Sequence, residues 1–478
     1  MICLTTQELS LATGAEVLVP AAFAIEGEVV IDSRLVETGS VFVAFRGERL
    51  DGNAYLTRAI GAGAGAVVAS ADVPADVLVA ARASGCAVLR AQDDDCEEFL
   101  LRLAGEWRVR HPAWTVVGVT GSVGKTTTKD MLRAGIATSA RVHATSGNLN
   151  NLIGLPLTVL SAPEDTEVLV CELGMNHPHE IDRLAAACRP TLAVITNVGT
   201  SHIGLLGSRE NIARAKAEIV SGMEAHEGLA PCLVLTSAND YASLIEGGFA
   251  RPAGVRVLYA GSRETDDVRS EDMDVDEAGL PSFVVRMTDG WSRRVRLHVP
   301  GRQVVGDFLL AMAVIALLGL DRDAAVDAIA AMPATSMRLS VATSPAGVRV
   351  IDDSYNASPN SMAAALDVLS EMRCDGRRVA VLGEMGELGA QGDHLHALVG
   401  AYAAAKSLDM LVCVGGTLAA TMAESARTMG FSDDRIVTFP TVEDATATMR
   451  PVLGEGDLVL VKASRAAGLD AFAKGVLA

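Results

Sequence analysis

Aromatic side chains are few in this chain, with 10 Phe, 5 Tyr and 3 Trp among 478 residues. Its cores must therefore rest on Ala, Val and Leu. Half of the residues are apolar, enough to fill several cores, and the length exceeds one ordinary core, so two to four domains are expected. Basic charge is also short: 40 Lys and Arg stand against 59 Asp and Glu, a formal charge of −19. Such a chain repels phosphate backbones, which argues against nucleic acid as its main partner. A nucleotide remains possible, because a local glycine loop with Lys and Mg²⁺ can bind one inside an acidic protein. Long apolar runs are missing too. The longest, Phe308 to Leu318, is too short to span a bilayer. The first ten residues show no basic region followed by an apolar core, so no signal peptide is expected. The eight cysteines, at 3, 86, 96, 171, 188, 232, 374 and 413, form no C-x-x-C pair and no zinc spacing. They read as small buried hydrophobes in a reducing cytoplasm.

What the chain does have is the stretch Thr120 to Thr128, T-G-S-V-G-K-T-T-T. An apolar run before it, Trp114 to Val119, reads as a buried strand, and Lys129 to Thr138 after it reads as a helix. Strand, glycine turn, Lys-Thr pair and helix together predict a phosphate-binding loop. Gly121 and Gly124 let backbone amides approach phosphate oxygens. Ser122, Val123 and Thr127 complete the cradle, Lys125 reaches the β- and γ-phosphates, and the Thr126 hydroxyl is placed for Mg²⁺. The spacing is the short G-x-x-G-K-T, since Val119 stands where the strict motif has a glycine.

On either side the chain reads as α/β throughout. Before the loop, Val29–Ile31 and Ser40–Phe45 read as strands, Ala54–Ala64 as a small-residue helix and Glu97–Arg110 as a helix ending at His111-Pro112, a boundary signal. Asp32-Ser33-Arg34 lies at a strand end; on its own it reads as turn chemistry. After the loop, strands at Val168–Glu172, Leu192–Asn197 and Leu233–Thr236 alternate with helices at Glu180–Ala187 and Glu210–Ser221. That rhythm predicts a parallel sheet with the loop at its carboxyl edge. Ser282 to His298 reads as a hairpin around Asp289-Gly290, and Val305 to Leu318 as a helix buried on most sides. From about 340 onward the α/β rhythm repeats as a doubly wound domain. Its strand-end polar runs are Asp352–Asn356, Gly383–Met385 and Lys462–Arg465, and it lacks a G-x-G-x-x-G fingerprint.

Several polar residues fall where the central sheet opens. Glu172 ends one strand and reads as a metal partner for the loop Thr. His202 reads equally as a ligand or as a loop residue. Lys216 by itself is a solvated helix lysine. Asn150 and Asn151, with Asn148, read by composition only as a helix cap.

Taken together, the motifs resemble the Mur ligases of peptidoglycan synthesis over nearly the whole chain. The resemblance is carried by D-S-R at 32–34, T-G-S-V-G-K-T-T-T, G-N-L-N-N-L-I-G-L-P-L-T, E-L-G-M-N and T-N-V-G-T-S-H-I-G-L-L-G-S. It continues through A-R-A-K-A-E-I, I-D-D-S-Y-N-A-S-P-N-S-M, L-G-E-M-G-E-L-G and K-A-S-R. The D-D-S-Y-N-A-S-P and E-M-G-E-L-G runs favour a ligase of D-alanyl-D-alanine over those that add earlier stem residues. The family implies three α/β domains: a UDP-substrate-binding domain over 1–112, a central P-loop ATP-binding domain over 113–339, and a Rossmann-like ligase domain over 340–478. It implies ATP phosphorylating the terminal carboxylate of UDP-N-acetylmuramoyl-tripeptide, followed by attack of the D-alanyl-D-alanine amine on the acyl phosphate. A cytoplasmic monomer is expected.

By the same resemblance Glu172 and His202 are Mg²⁺ ligands beside Thr126, and Lys216 is carbamylated by CO₂ so that it can hold a second Mg²⁺. Asp32, Ser33 and Arg34 hold the uridine diphosphate end; Asn150 and Asn151 line the site behind the phosphates. Arg338 and Asp353 approach the nucleotide, with Asn356 nearby, and Lys462, Ser464 and Arg465 close over the substrate. Three departures stand out. Gln303 and Asp307 occupy the family's G-x-H-N/Q-x-x-N run, and an ionised Asp cannot donate to adenine N7, so that contact is expected to be lost. Glu384 replaces the commoner Asp, and Ala463 a glycine. The competing readings are an amide ligase of another amino acid or of a folate, and a nucleotide-binding protein without catalysis.

Overall fold

The computed structural model of the chain describes residues 1–47 and 50–478. Three main sheets follow one another along it. The first orders Glu16–Val19, Ala87–Arg90, Ala66–Ala69, Val41–Val43 and Val29–Val30, parallel except for its first strand. Beside it Ile2–Leu4 pairs antiparallel with Ile25–Gly27.

The central sheet has nine strands. Thr115–Thr120 runs parallel between Leu192–Ile195 and Val168–Glu172, and Val142–Ala144 closes that edge. Cys232–Thr236, Arg256–Gly261 and Val268–Val275 extend the other side in parallel. Covered on both faces, the inner strands carry continuous apolar sequence instead of alternation. The expected hairpin is present: Pro281–Met287 pairs antiparallel with Ser292–Arg296, Phe283 opposite Val295. Arg256–Gly261 and Val268–Val275 are strands that the sequence pattern does not announce. The second of these, V-R-S-E-D-M-D-V, is charged and half exposed; it is held by cross-strand pairs such as Glu271 with Arg286 and hides no apolar run.

The third sheet orders Ser340–Thr343, Arg349–Asp352, Leu458–Lys462, Arg378–Gly383, Met410–Val414 and Ile436–Phe439. All but the first pair are parallel, with helices on both faces, the doubly wound architecture expected.

Two local differences bear on function. The loop helix spans Lys125–Ile136 and not 129–138, because left-handed Gly124 (φ +86°) turns the chain directly into its first turn. Lys125 and Thr126 thus sit at the helix N-terminus, where free N–H groups and the dipole favour anions. In place of one continuous helix over residues 54–64, a 3₁₀ turn, Gly52–Tyr55, precedes a short helix, Leu56–Gly61. The His111-Pro112 segment is packed: the His111 ring stacks on Trp114 with centroids 4.3 Å apart and meets Trp107 tilted at 4.4 Å. Buried Arg108 donates to the carbonyls of His111 and Trp114 at 2.8 and 3.0 Å.

Candidate functional site

The phosphate loop is braced from the neighbouring strand end. Asn197 accepts from the Val123 N–H (3.0 Å) and donates to its carbonyl (2.9 Å), while Thr196 Oγ1 donates to the same carbonyl. Lys125 Nζ folds back on the Gly121 carbonyl at 2.8 Å. That bond is one a γ-phosphate can replace. Burial lowers the Lys125 pKa, opposed by the charge of Glu172.

Glu172 is buried at the end of its strand and is the hub of the next layer. The Thr126 hydroxyl donates to Oε2 (2.9 Å) and the Asn150 amide to Oε1 (2.8 Å). Lys216 is also buried, 1 % exposed, contrary to its reading as a solvated helix lysine. Its amine is pushed well below the usual range by burial and then by the Lys125 charge, with no carboxylate opposing either. Burial here disfavours the charged form that solvent would stabilise. His202 stands at φ +63° ahead of the short helix Ile203–Leu206. Its Nδ1 lies 2.5 Å from Glu387 Oε2, out of line for a directed hydrogen bond.

Lys125, Thr126, Asn150, Glu172, His202 and Lys216 line one cavity of about 300 Å³. Its opposite wall comes from the junction and from the third sheet. Arg338 lies over the Tyr355 ring at 4.1 Å. Lys462 Nζ, buried, pairs with Asp353 Oδ2 at 2.5 Å and donates to the Asn356 carbonyl at 3.0 Å. Burial raises the Asp353 pKa, with Lys462 the main opposing influence.

Asp307 closes the cavity beside the loop: a side chain at Gly124 would collide with its carboxylate, and Thr128 Oγ1 donates to Oδ1 at 3.2 Å. Burial pushes its pKa up to about 8, against the Thr128 bond and the Arg338 charge. So shifted, the carboxyl favours its protonated form, which bears on the expected loss of a donor. A protonated carboxyl keeps one O–H donor beside one carbonyl acceptor, the same pair an amide presents.

Of the residues picked out in the sequence, Ser122 to Thr127, Asn150, Glu172, His202, Lys216, Asp307, Arg338, Asp353, Asn356 and Lys462 share this cavity. Gly121 is not on the wall but starts the loop behind it, its carbonyl accepting from Lys125 Nζ. Asn151 is not on the wall; its Oδ1 caps the helix Gly154–Leu160 by accepting from the N–H of Gly154 at 2.8 Å. Ser464 and exposed Arg465 lie beyond it, the Ser464 N–H donating to the Glu384 carbonyl at 3.0 Å. Asp32, Ser33 and Arg34 lie on the first domain, away from the cavity. There Arg34 clasps Asp32 and holds its carboxyl down at about 2. Asn197 and Glu387 received no role from sequence, although both lie in runs shared with the family. Nothing in the local pattern says that one braces a loop and the other crosses to a different domain.

The chain matches the Mur ligase family, catalytic domain, over residues 27–106, the Mur ligase middle domain over 119–315 and the Mur ligase, glutamate ligase domain over 337–465. It is 35 % identical to the UDP-N-acetylmuramoyl-tripeptide–D-alanyl-D-alanine ligase of Bacillus subtilis, covering 94 % of this chain and 93 % of that one. It is 31 % identical to the ligase of the same name from Escherichia coli, covering 92 % of each. Among solved structures, MurF from Acinetobacter baumannii superposes with a TM-score of 0.87 at 27 % identity, covering 100 % of this chain and 99 % of the other. MurF ligase from Thermotoga maritima in complex with ADP gives 0.78 at 27 %, covering 94 % and 96 %.

Proposed function

The chain belongs to the Mur ligase family, and on that premise we propose how its residues divide one amide-forming reaction. It is an ATP-dependent ligase that adds D-alanyl-D-alanine to UDP-N-acetylmuramoyl-tripeptide through an acyl phosphate, in peptidoglycan precursor synthesis. The observation that carries the division of labour is the facing of Lys125, Thr126 and Glu172 by Arg338, Asp353 and Lys462 across a single cavity.

The loop amides from Gly121 to Thr127 and the Lys125 ammonium take the phosphates. A carboxylate attacking a triphosphate meets strong repulsion, so cationic groups must be set in place before the in-line approach. Among the described residues no three His, Cys, Asp or Glu side chains form a metal cage. The Thr126 hydroxyl and Glu172 carboxylate suit Mg²⁺, which keeps water and substrate phosphates as its other ligands. His202 would join them, and Lys216 would do so as its carbamate. When bound, Mg²⁺ would neutralise phosphate charge. Burial disfavours the Lys216 ammonium; its amine form would add to CO₂ with release of one proton, and Lys125 nearby would stabilise the resulting carbamate anion.

Asp307, Arg338 and Asp353 face the nucleoside side, with Asn150 behind the phosphates. Asp32, Ser33 and Arg34 take the uridine diphosphate. Asn356, Lys462, Ser464 and Arg465 come to the peptide from the third domain, closing water away from the acyl phosphate. We place the domain limits at residues 112 and 339 and read the working protein as a cytoplasmic monomer, where ATP and nucleotide-linked substrate meet. No helix among the described residues is long and apolar enough to cross a membrane.

The test is phosphate release with UDP-N-acetylmuramoyl-tripeptide plus ATP, offered D-alanyl-D-alanine, single amino acids or no acceptor. Release dependent on the dipeptide is expected. Release with a single amino acid would move the chain to a neighbouring ligase activity, and no release with any acceptor would leave nucleotide binding alone.

A further inference from the structure

One contact joins the phosphate site to the third domain through a side chain, Glu387, that the reaction scheme leaves unused. The loop 384–389 reaches across from the strand Arg378–Gly383 to the short helix Ile203–Leu206. There the Gly204 N–H donates to the Glu387 carbonyl at 3.0 Å. The backbones touch: a Cβ on Gly204 would strike the Gly389 nitrogen, and a Cβ on Gly389 would lie 2.8 Å from Gly204 Cα. Only glycine on both sides allows this approach.

The reaching loop is held firmly from behind. The Met385 N–H donates to His396 Nε2 (2.9 Å), and Nδ1 of that buried ring lies 2.7 Å from the Gly392 carbonyl, so the ring is neutral with its proton on Nδ1. Glu384 Oε1 accepts from the N–H groups of Gly416 and Ala419 at 2.9 and 3.2 Å. Glu387 itself sits at φ +61°, a conformation costly for a residue with a side chain and kept only where its surroundings demand it. The outcome of this bracing is that the Glu387 carboxylate meets His202 Nδ1, while the same imidazole lines the phosphate cavity.

We propose that Glu387 is a positioning residue: from the third domain its 2.5 Å contact holds the orientation of His202 across the junction, so the metal side of the phosphate site is complete only when loop 384–389 is docked on Gly204. A carboxylate held against one ring nitrogen turns the other nitrogen toward a cation, the arrangement that commonly supports metal-binding histidines. The inference rests on the proposed placement of His202 beside the metal.

The experiment measures Mn²⁺ binding, by electron paramagnetic resonance, to the full chain with a non-hydrolysable ATP analogue. Wild type, His202→Ala, Glu387→Ala, Glu387→Gln and the double alanine variant are compared. Glu387 is half exposed, so its loss should leave the fold intact. Glu387→Ala is expected to weaken Mn²⁺ about 10-fold, and Glu387→Gln, which keeps a carbonyl acceptor, to recover to within about threefold of wild type. In the His202→Ala background Glu387→Ala should change nothing, the sign of action through that ring. Gly204→Ala, with both side chains intact, should weaken Mn²⁺ as Glu387→Ala does. Unchanged affinity in Glu387→Ala beside a loss in His202→Ala, or losses that multiply in the double variant, overturns the inference while leaving His202 at the metal. Unchanged affinity in His202→Ala overturns both.

Discussion

Asp307 shows how one buried side chain ties stability to pH in this site. Its carboxyl titrates at about 8 in the folded chain, against roughly 4 when exposed. Below about pH 4 both states hold the proton and folding carries no penalty. Between those values the unfolded chain releases its proton while the folded chain keeps it, so stability falls with rising pH, by up to about 1.4 kcal/mol per unit. Above pH 8 the loss is complete and flat. Asp307→Asn has no such dependence. Its melting temperature should exceed that of wild type by a margin that grows from pH 5 to pH 8 and then levels off; a margin independent of pH would mean Asp307 is ionised throughout. Lys216 makes the second residue-scale case. Its depressed pKa suits carbamate formation, so Lys216→Ala should lose about 100-fold in phosphate release and regain part of it with a short carboxylic acid. Full activity in the alanine variant would remove the carbamate from the scheme.

At the scale of elements, the strand-loop-helix unit works because the helix begins at Lys125 without a lead-in turn. Gly124 allows this in two ways: it supplies a left-handed φ, and it leaves room for the Asp307 carboxylate. Gly124→Ala violates both conditions. The φ strain alone costs about 1–2 kcal/mol, and relief of the collision must move either the loop amides or Asp307. Calorimetry with ATP should show affinity reduced by about 10-fold or more, since a displacement of about 1.4 kcal/mol is already tenfold. An alanine variant binding ATP as wild type does would show that the loop tolerates a shift. The sequence already contained most of this unit, since glycine, lysine and threonine spacing is local chemistry. It placed the helix start four residues late because Gly-Lys-Thr reads as a turn until the backbone angle at Gly124 is known.

For the whole molecule, the cavity exists because two sheets meet at the segment around Arg338. Met337 and Leu339, which flank it, have φ of +61° and +54°, both unusual for residues with side chains. The junction is further tied by Leu339 N–H to Asp353 Oδ1 at 3.2 Å and by Thr335 Oγ1 to Asp130 at 2.9 Å. Two strained residues around a cavity-lining arginine indicate a joint that aims Arg338 at the site. Met337→Gly should change stability by less than about 1 kcal/mol, because relief of strain is offset by a more flexible unfolded chain. The ATP KM should rise several-fold as Arg338 loses its direction, with kcat for bound substrate less affected. Unaltered KM would show that Arg338 is aimed by its contact with Tyr355 instead.

The sequence by itself determined the features that depend on neighbours along the chain: the phosphate loop, the apolar inner strands, the doubly wound third domain, and the kinds of residue available at each strand end. It could identify Lys216 as a site residue only through family resemblance, because a helix lysine looks solvated until the burial of that turn is known. Tertiary structure alone decided that Lys216 loses its solvent, that Asp307 is enclosed tightly enough to hold a proton, that Asn150 faces Glu172 while adjacent Asn151 only caps a helix, and that Glu387 reaches His202. Each of these depends on which groups are excluded from water or brought together across a long stretch of chain. Burial and long-range approach are properties of the packed molecule, and no local spacing of residues encodes them.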